Sequence, residues 1–509
     1  MSKECYYVTT PIYYVNAEPH IGHTYTTVIA DVLKKYHQIK GEKTFFLTGT
    51  DEHGLKIEQA AQKTGKTPQE FCDEIAAKYK NVWQKLGIDY DNFIRTTDPK
   101  HEECVKIILQ KLYDKGYIYK NKYEGLYCVG CEKYFTEDDL TDGLCPDHKI
   151  KPELLAEENY FFKLSAFQEK LLKLIESDEI LILPDFRKNE VLGKLRLGLE
   201  DISISRSQLK WGIKLPFDET QVAYVWVDAL INYLSGIGFN NNEKLFNEIW
   251  PADMQLLAKD ILWFHCVIWP AMLLAIELPL PKSLFVHGYF TVNDQKISKT
   301  LGNVIDPVAL SEEFGGDVIR YFMLREATFG LDYDFSIDAI KRRLNTDLAN
   351  DLGNLLNRSV SMAGKYFDGK IVNTRRAVPL TLDEEVSLTA AAVKKDYIEF
   401  MDKLALRQAL ESIWKLVVRL NRYVEETAPW KLSKEGNNER LAIVMYNLIE
   451  GLRHIAVLLY PIMPQTAQNI WQQIGLNDNV KNQNLNNLTW GQLQETTVAK
   501  GDPLFKKSE

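Results

Sequence analysis

The chain has little of what marks membrane, secreted or repetitive proteins. Its most apolar stretch, Ile261 to Leu280, is broken by His265, Pro270, Glu277 and Pro279. It therefore reads as a buried core segment rather than a bilayer span. The opening residues Met1-Ser2-Lys3-Glu4-Cys5 lack a secretion-signal pattern, so the expected location is cytoplasmic. Only seven cysteines occur in 509 residues, which excludes a disulfide framework. Cys5, Cys72, Cys104 and Cys266 stand apart and read as small buried apolar residues. There is no internal repeat and no low-complexity tract. Positive charge is also in deficit, with 61 Lys and Arg against 70 Asp and Glu. That argues mildly against a nucleic-acid partner, but polyanions bind local patches and not net charge.

What is present suits a soluble enzyme of several domains. Hydrophobic residues make up 45% and charged residues 26%, the ordinary globular balance, and the length implies about three domains. Tyr6 to Thr10 is a β-rich run, Pro11 to Pro19 a loop, His20 to His37 a helix, and Thr44 to Thr48 a second strand ending at Gly49. Such a unit builds a parallel sheet, whose ligands bind beyond the carboxyl ends of the strands. The His20 segment and Gly49-Thr50-Asp51-Glu52-His53-Gly54 both lie at strand ends and are expected to share one site. Residues 115–222 read as an insertion. Tyr224-Val225-Trp226-Val227 returns to strand character, and Ser283 to Gly288 is a strand ending in His-Gly. From about Asp338 the apolar spacing is helical, with Leu404 to Val424 and Arg440 to Leu459 as amphipathic helices.

His20-Ile21-Gly22-His23 places two histidines on one side of a helix start, with a glycine that admits a bulky ligand. The helix N-terminus favours phosphate. Four residues match easily by chance, and two surface or metal-binding histidines would look the same. Lys296-Ile297-Ser298-Lys299-Thr300 puts two mobile ammonium groups three residues apart, after His287-Gly288-Tyr289 and before Asn303. Such a pair clamps a polyphosphate, where an isolated Lys pair would be a solvated loop. Cys128-x2-Cys131, thirteen residues, then Cys145-x2-His148 are two paired knuckles that suit tetrahedral zinc. All four positions are protein, so the role is structural. The alternative is a chain that has the ligands but carries no metal.

The two signatures resemble the HIGH and KMSKS motifs of class I aminoacyl-tRNA synthetases, the second with Ile297 for Met and Thr300 for Ser. The resemblance implies ATP, with Mg2+, and an amino acid forming an aminoacyl-adenylate, followed by transfer to the terminal adenosine of tRNA. It implies His20, Gly22, His23, Lys296, Ser298 and Lys299 on the triphosphate, and Asp260 and His287 also at the nucleotide. Ala258 stands where the family more often has Gly. Asp51 can pair with a substrate ammonium, or it can cap a helix. Tyr224 to Tyr233 and Trp263 to Pro270 are aromatic runs, which by themselves usually mean core.

These segments resemble the pocket of the methionyl-tRNA synthetases, implying Ile12, Tyr14, Asp51, Trp226, Ala229, Tyr233, Phe264 and His265 as wall or anchor, and Trp269 closing over the ligand. Leu230 replaces a frequent Pro. Sulfur–ring contacts, worth about 0.3–1.5 kcal/mol, make aromatic walls suitable for a thioether. Arg206 resembles the arginine that holds this region together. Asn354 and Arg358, one helical turn apart, and Trp430 after Pro429 resemble the family's readers of the CAU anticodon. Lys341-Arg342-Arg343 either meets phosphates or is a solvated face.

The resemblance implies an α/β fold with a Rossmann-type parallel-sheet catalytic domain (1–115 and 223–290), split by a zinc-knuckle insertion (116–222, the knuckle at about 125–160). A KMSKS-loop stem-contact region (291–345) and an α-helical anticodon-binding domain (346–509) follow. No dimer-forming domain is visible after the helices, so a monomer is expected. The implied partners are L-methionine, ATP and tRNA(Met), in translation initiation and elongation. The rivals are a class I synthetase for another amino acid, a small-molecule nucleotidyltransferase, and a binding module without activity.

Overall fold

The computed structural model describes residues 5–16, 18–128, 133–135, 137–146, 149–292, 295–296, 305–328, 330–373 and 381–508, with backbone alone at 123–124, 133–134, 138, 155–157 and 295–296. The chain divides into two compact units. One comprises Met1–Pro19, Phe45–Asn81 and Tyr90–His287; the other comprises His20–Thr44, Val82–Asp89 and Gly288–Glu509.

The first unit is built on a seven-stranded sheet. Its order is Tyr13–Tyr14, Lys43–Asp51, Cys5–Thr9, Met254–Ala258, Ser283–His287 and Leu181–Leu183, with Asn92–Arg95 also pairing to Lys43–Asp51. The first strand pairs in parallel with Met254–Ala258, which pairs in parallel with Ser283–His287. The chain leaves the first strand towards Lys43–Asp51 on one side and towards Met254–Ala258 on the other. This reversal is a topological switch point, where open α/β sheets bind ligands. Gly49 is required by close packing, since a Cβ there would meet the Ile94 carbonyl oxygen at 2.0 Å.

Residues from Ile118 onward form a four-stranded sheet in which Ile118–Cys128 pairs antiparallel with Glu153–Phe162. A three-stranded sheet follows around Asp218–Ala223. Tyr224 to Val227 is not a strand. Tyr224 is the extended N-cap of a short helix, Val225–Leu230. This helix buries Val225, Val227, Asp228, Ala229 and Leu230, so it carries no polar stripe, and its β-branched and aromatic content mimics a strand. The apolar segment after Ile261 is a π-helical turn, Phe264–Ile268, leading into Trp269–Ala275. Cys72, Cys104 and Cys266 are buried, and Cys5 is partly buried.

The second unit is helical. Its long helices include Ile21–Ile39, Thr381–Asp402, Leu406–Thr427 and Asn438–Leu459. Among the described residues Asn438–Leu459 alone is long and apolar enough to cross a membrane, and 89% of its apolar window is buried in the protein. Asp31 on Ile21–Ile39 is ion-paired to Lys35 and, at 2.7 Å, to Arg320, all three buried.

Candidate active site

Three predicted site residues lie at carboxyl ends of strands in the first unit. Asp51 is the last residue of Lys43–Asp51, and its carbonyl accepts from the Val15 amide at 3.1 Å. It does not cap a helix, because the next helix, Leu55–Thr64, starts from Gly54 at φ 114°. Asp260 lies in the turn Lys259–Ile261 after Met254–Ala258, and His287 ends Ser283–His287.

The aromatic segments converge in the same unit. Trp226 and Phe264 stack with ring centroids 4.0 Å apart at 11°. The Tyr233 hydroxyl and His265 Nε2 are 2.7 Å apart, while His265 Nδ1 lies 3.0 Å from the Ile261 carbonyl. The carbonyl can only accept, so Nδ1 carries the proton and Nε2 receives the phenol. Burial pushes the His265 pKa down to about 4. Trp269 is fully buried and 5.9 Å from the Tyr233 ring. Ala229 is buried, and Ile12 and Tyr14 are partly buried against the same core. The π-helical turn departs from the α-helical repeat at Phe264 and His265, a distortion frequent at functional sites. Arg206 is buried, donates to the Ser205 carbonyl at 2.7 Å and stacks its guanidinium 4.3 Å over Tyr224, fixing the start of the Val225–Leu230 helix.

In the second unit His20 is the N-cap of Ile21–Ile39, its Nδ1 accepting from the Gly22 amide at 3.1 Å. The rings of His20 and His23 stack at 3.7 Å. A Cβ at Gly22 would press on the His20 ring at 3.0 Å. Burial, and then the neighbouring His20, hold His23 well below the usual imidazole range, so His23 is a neutral hydrogen-bonding group near pH 7. Lys296 lies in the strand Gln295–Lys296; its side chain, Ser298 and Lys299 lie outside the described residues.

Asn354 and Arg358 share a face of Asn354–Phe367, which follows a π-helical segment, Leu344–Gly353. Arg358 donates to Glu425 at 2.6 Å, at the end of the helix that precedes Pro429. Trp430 is 38% exposed, not core as a Trp after Pro usually is. Arg342 and Arg343 pair with Glu326, and Arg343 also with Asp347, so much of that basic run is neutralised within the unit.

Of the predicted metal ligands, Cys128 and Cys145 are fully buried in one small cluster with Phe135 and Leu140. Cys131 and His148 lie outside the described residues. Among the described residues no group of three His, Cys, Asp or Glu side chains is arranged to hold a metal.

The family model described as tRNA synthetases class I (M) matches residues 6–153 and 148–360, and that of the anticodon-binding domain of tRNA ligase matches 383–500. Methionine–tRNA ligase of Thermotoga maritima is 46% identical over 99% of this chain and 80% of its own length. The corresponding protein of Caldanaerobacter subterraneus is 47% identical over 99% and 79%. The chain belongs to the class I methionyl-tRNA synthetases. The Mycobacterium tuberculosis methionyl-tRNA synthetase in complex with methionyl-adenylate superposes with a TM-score of 0.94 at 38% identity, over 99% of each chain. Its apo form gives 0.87 at 35% identity, over 100% of this chain and 99% of that one.

One buried cluster carries no signature in the sequence: His53, His101, Asp228 and Ser235. His53 lies in the segment Gly49 to Gly54 with Asp51, and Asp228 between Trp226 and Ala229. No local pattern points to His101.

Proposed function

We infer that the chain is a methionine–tRNA ligase. A methionine carboxylate oxygen attacks the α-phosphorus of ATP, the bond to the bridging oxygen breaks, and pyrophosphate leaves. The product is methionyl-adenylate. A hydroxyl of the terminal adenosine of tRNA(Met) then attacks the activated carbonyl and AMP leaves. The charged tRNA serves initiation and elongation. The observation that carries this reading is the aromatic pocket, the Trp226–Phe264 stack beside the Tyr233–His265 pair, in a chain of this family.

The roles are those that the family resemblance implies. Asp51 receives the methionine ammonium. Ile12, Tyr14, Trp226, Ala229, Phe264 and Trp269 enclose the thioether, and Tyr233 and His265 set its polar boundary. Asp260 and His287 contact the nucleoside. His20, Gly22, His23, Lys296, Ser298 and Lys299 serve the triphosphate, whose charge Mg2+ shares, and no side chain forms a covalent intermediate. Arg206 supports the pocket helix. Asn354, Arg358 and Trp430 read the CAU anticodon, supported by the exposure of Trp430 and the Arg358–Glu425 tie.

Zinc would be held by Cys128, Cys131, Cys145 and His148. The fit rests on Cys128 and Cys145, two buried thiols in a cluster too small to be a core by itself. A zinc bound there supplies a structural cross-link and no reaction chemistry. The division into catalytic, inserted, stem-contact and anticodon regions follows the boundaries read from the sequence. The protein works in the cytoplasm as a monomer.

ATP–pyrophosphate exchange against all twenty amino acids tests the reading. Methionine alone should support exchange; preference for any other amino acid overturns it. Elemental analysis should find one zinc per chain, and native mass spectrometry a monomer.

A further inference from the structure

The carboxylate of Asp228 is gripped at both oxygens. Oδ2 is 2.7 Å from His53 Nδ1, and Oδ1 is 2.7 Å from His101 Nε2. His101 Nδ1 is in turn 2.7 Å from the Ser235 hydroxyl. His53, His101, Asp228 and Ser235 are 4%, 0%, 1% and 7% exposed. The row is buried, so its bonds are geometrically demanding.

The four residues come from four places. His53 belongs to the turn Asp51-Glu52-His53-Gly54. His101 lies on the helix Pro99–Asp114, Asp228 on Val225–Leu230 and Ser235 on Asn232–Ser235. The turn is fastened a second time through Trp211, whose indole donates to the Glu52 carbonyl at 2.6 Å and whose carbonyl accepts from the Gly54 amide at 3.1 Å. The Val225–Leu230 helix has only six residues and no side-chain cap. Asp228 is its one buried charged group, and it sits between Trp226 and Ala229. Tyr233 follows Asn232 on the next short helix, where the Asn232 side-chain Nδ2 donates to the Ala229 carbonyl at 2.6 Å.

We propose that His53, Asp228 and His101 are positioning residues that set the distance between the Asp51 turn and the pocket wall of Trp226, Ala229 and Tyr233, and thereby the length of amino-acid side chain accepted. The inference rests on the reading of that pocket as the methionine site. None of the three is required to touch substrate. Asp228 is held low because its two imidazole partners outweigh burial, and His53 is held high because Asp228 outweighs burial. The bridge is thus a carboxylate held at each oxygen by a different imidazole. Loss of either partner leaves a buried hydrogen-bonding group short of its bond, and the turn and the helix separate.

The test is ATP–pyrophosphate exchange by the full chain with methionine, and with ethionine, whose side chain is one carbon longer. His53→Ala and Asp228→Asn should each raise the KM for methionine roughly ten- to a hundredfold, as expected for misplacement on the ångström scale. The KM for ATP, and kcat at saturating methionine, should change by less than about threefold. The ethionine-to-methionine ratio of kcat/KM should rise. His53→Asn, which keeps a donor near Nδ1, and His101→Gln, which keeps one near Nε2, should recover most of the methionine KM and should fold even where His53→Ala does not. A merely structural role would lower the amount of folded enzyme and leave the KM and the ethionine ratio of the remainder unchanged. That result, or an equal loss with His53→Asn and His53→Ala, overturns the proposal. If the unmodified chain fails to use methionine, the pocket assignment itself fails, which the same assay reports separately.

Discussion

The phenol of Tyr233 donates to Nε2 of His265 across 2.7 Å, and the Ile261 carbonyl holds the other ring nitrogen at 3.0 Å. The two contacts select one tautomer and orient the ring, so the pocket has a polar edge without a charge. Tyr233→Phe removes the donor and leaves Nε2 buried without it. The expected cost is about 1–3 kcal/mol, read as a lower unfolding midpoint, with a raised KM for methionine in pyrophosphate exchange. An unchanged KM would remove His265 from the pocket boundary.

His265 also predicts how stability depends on pH. Its folded pKa is about 4, against an ordinary value of 6.5, because burial disfavours the imidazolium. His454, buried in the helical unit, is likewise pushed down to about 4, by burial first and then by Arg453. Between pH 6.5 and 4 the unfolded chain binds more protons than the folded one, so stability rises with pH across that window and is lost on acidification. Each histidine contributes up to about 3 kcal/mol. Unfolding midpoints measured from pH 7 to 4 should fall, and His265→Gln should flatten the slope of the first unit.

How much of this was legible in the sequence depends on how local each feature is. The alternation from Tyr6 through Gly49 and the strand ending at His287 gave the parallel sheet, because apolar runs bounded by loops report burial directly. The Val225–Leu230 helix reads as a strand because it is buried on nearly every side and has no stripe to set its period. The Asp228 cluster was invisible for another reason. Asp228 lies 175 residues from His53 and 127 from His101, so the contact exists only after the sheet has assembled. Trp430 shows the reverse case: a Trp directly after a Pro is usually core, and here it is exposed.

That exposure gives a prediction specific to the second step of the reaction. An unpaired base stacked on an indole contributes about 1–3 kcal/mol. Trp430→Ala should therefore lower kcat/KM for charging tRNA(Met) by roughly ten- to a hundredfold. Methionine-dependent pyrophosphate exchange should be nearly unaffected. Equal losses in both assays would show that Trp430 supports the fold and not the anticodon contact.

The buried ion cluster of the second unit makes a last, purely energetic prediction. Arg320 is fully buried, lies 2.7 Å from Asp31, and donates to the carbonyls of Ile462 at 2.7 Å and Pro461 at 2.8 Å. Asp31 also pairs with Lys35 and accepts from the Asp89 amide at 2.9 Å. The two cations outweigh burial and hold Asp31 below the usual carboxylate range. Arg320→Met keeps much of the volume but removes the charge and the donors to these carbonyls and to that of Leu86. Breaking one side of a buried pair costs about 3–5 kcal/mol. Replacing Asp31 by Asn at the same time relieves the unmatched carboxylate, so the double variant should be less destabilised than the sum of the two single ones. Denaturant unfolding of the three variants measures this coupling. Simple additivity would mean that Arg320 acts through its carbonyl contacts alone, and that the ion pair at the middle of the Ile21–Ile39 helix contributes nothing to holding that helix in place.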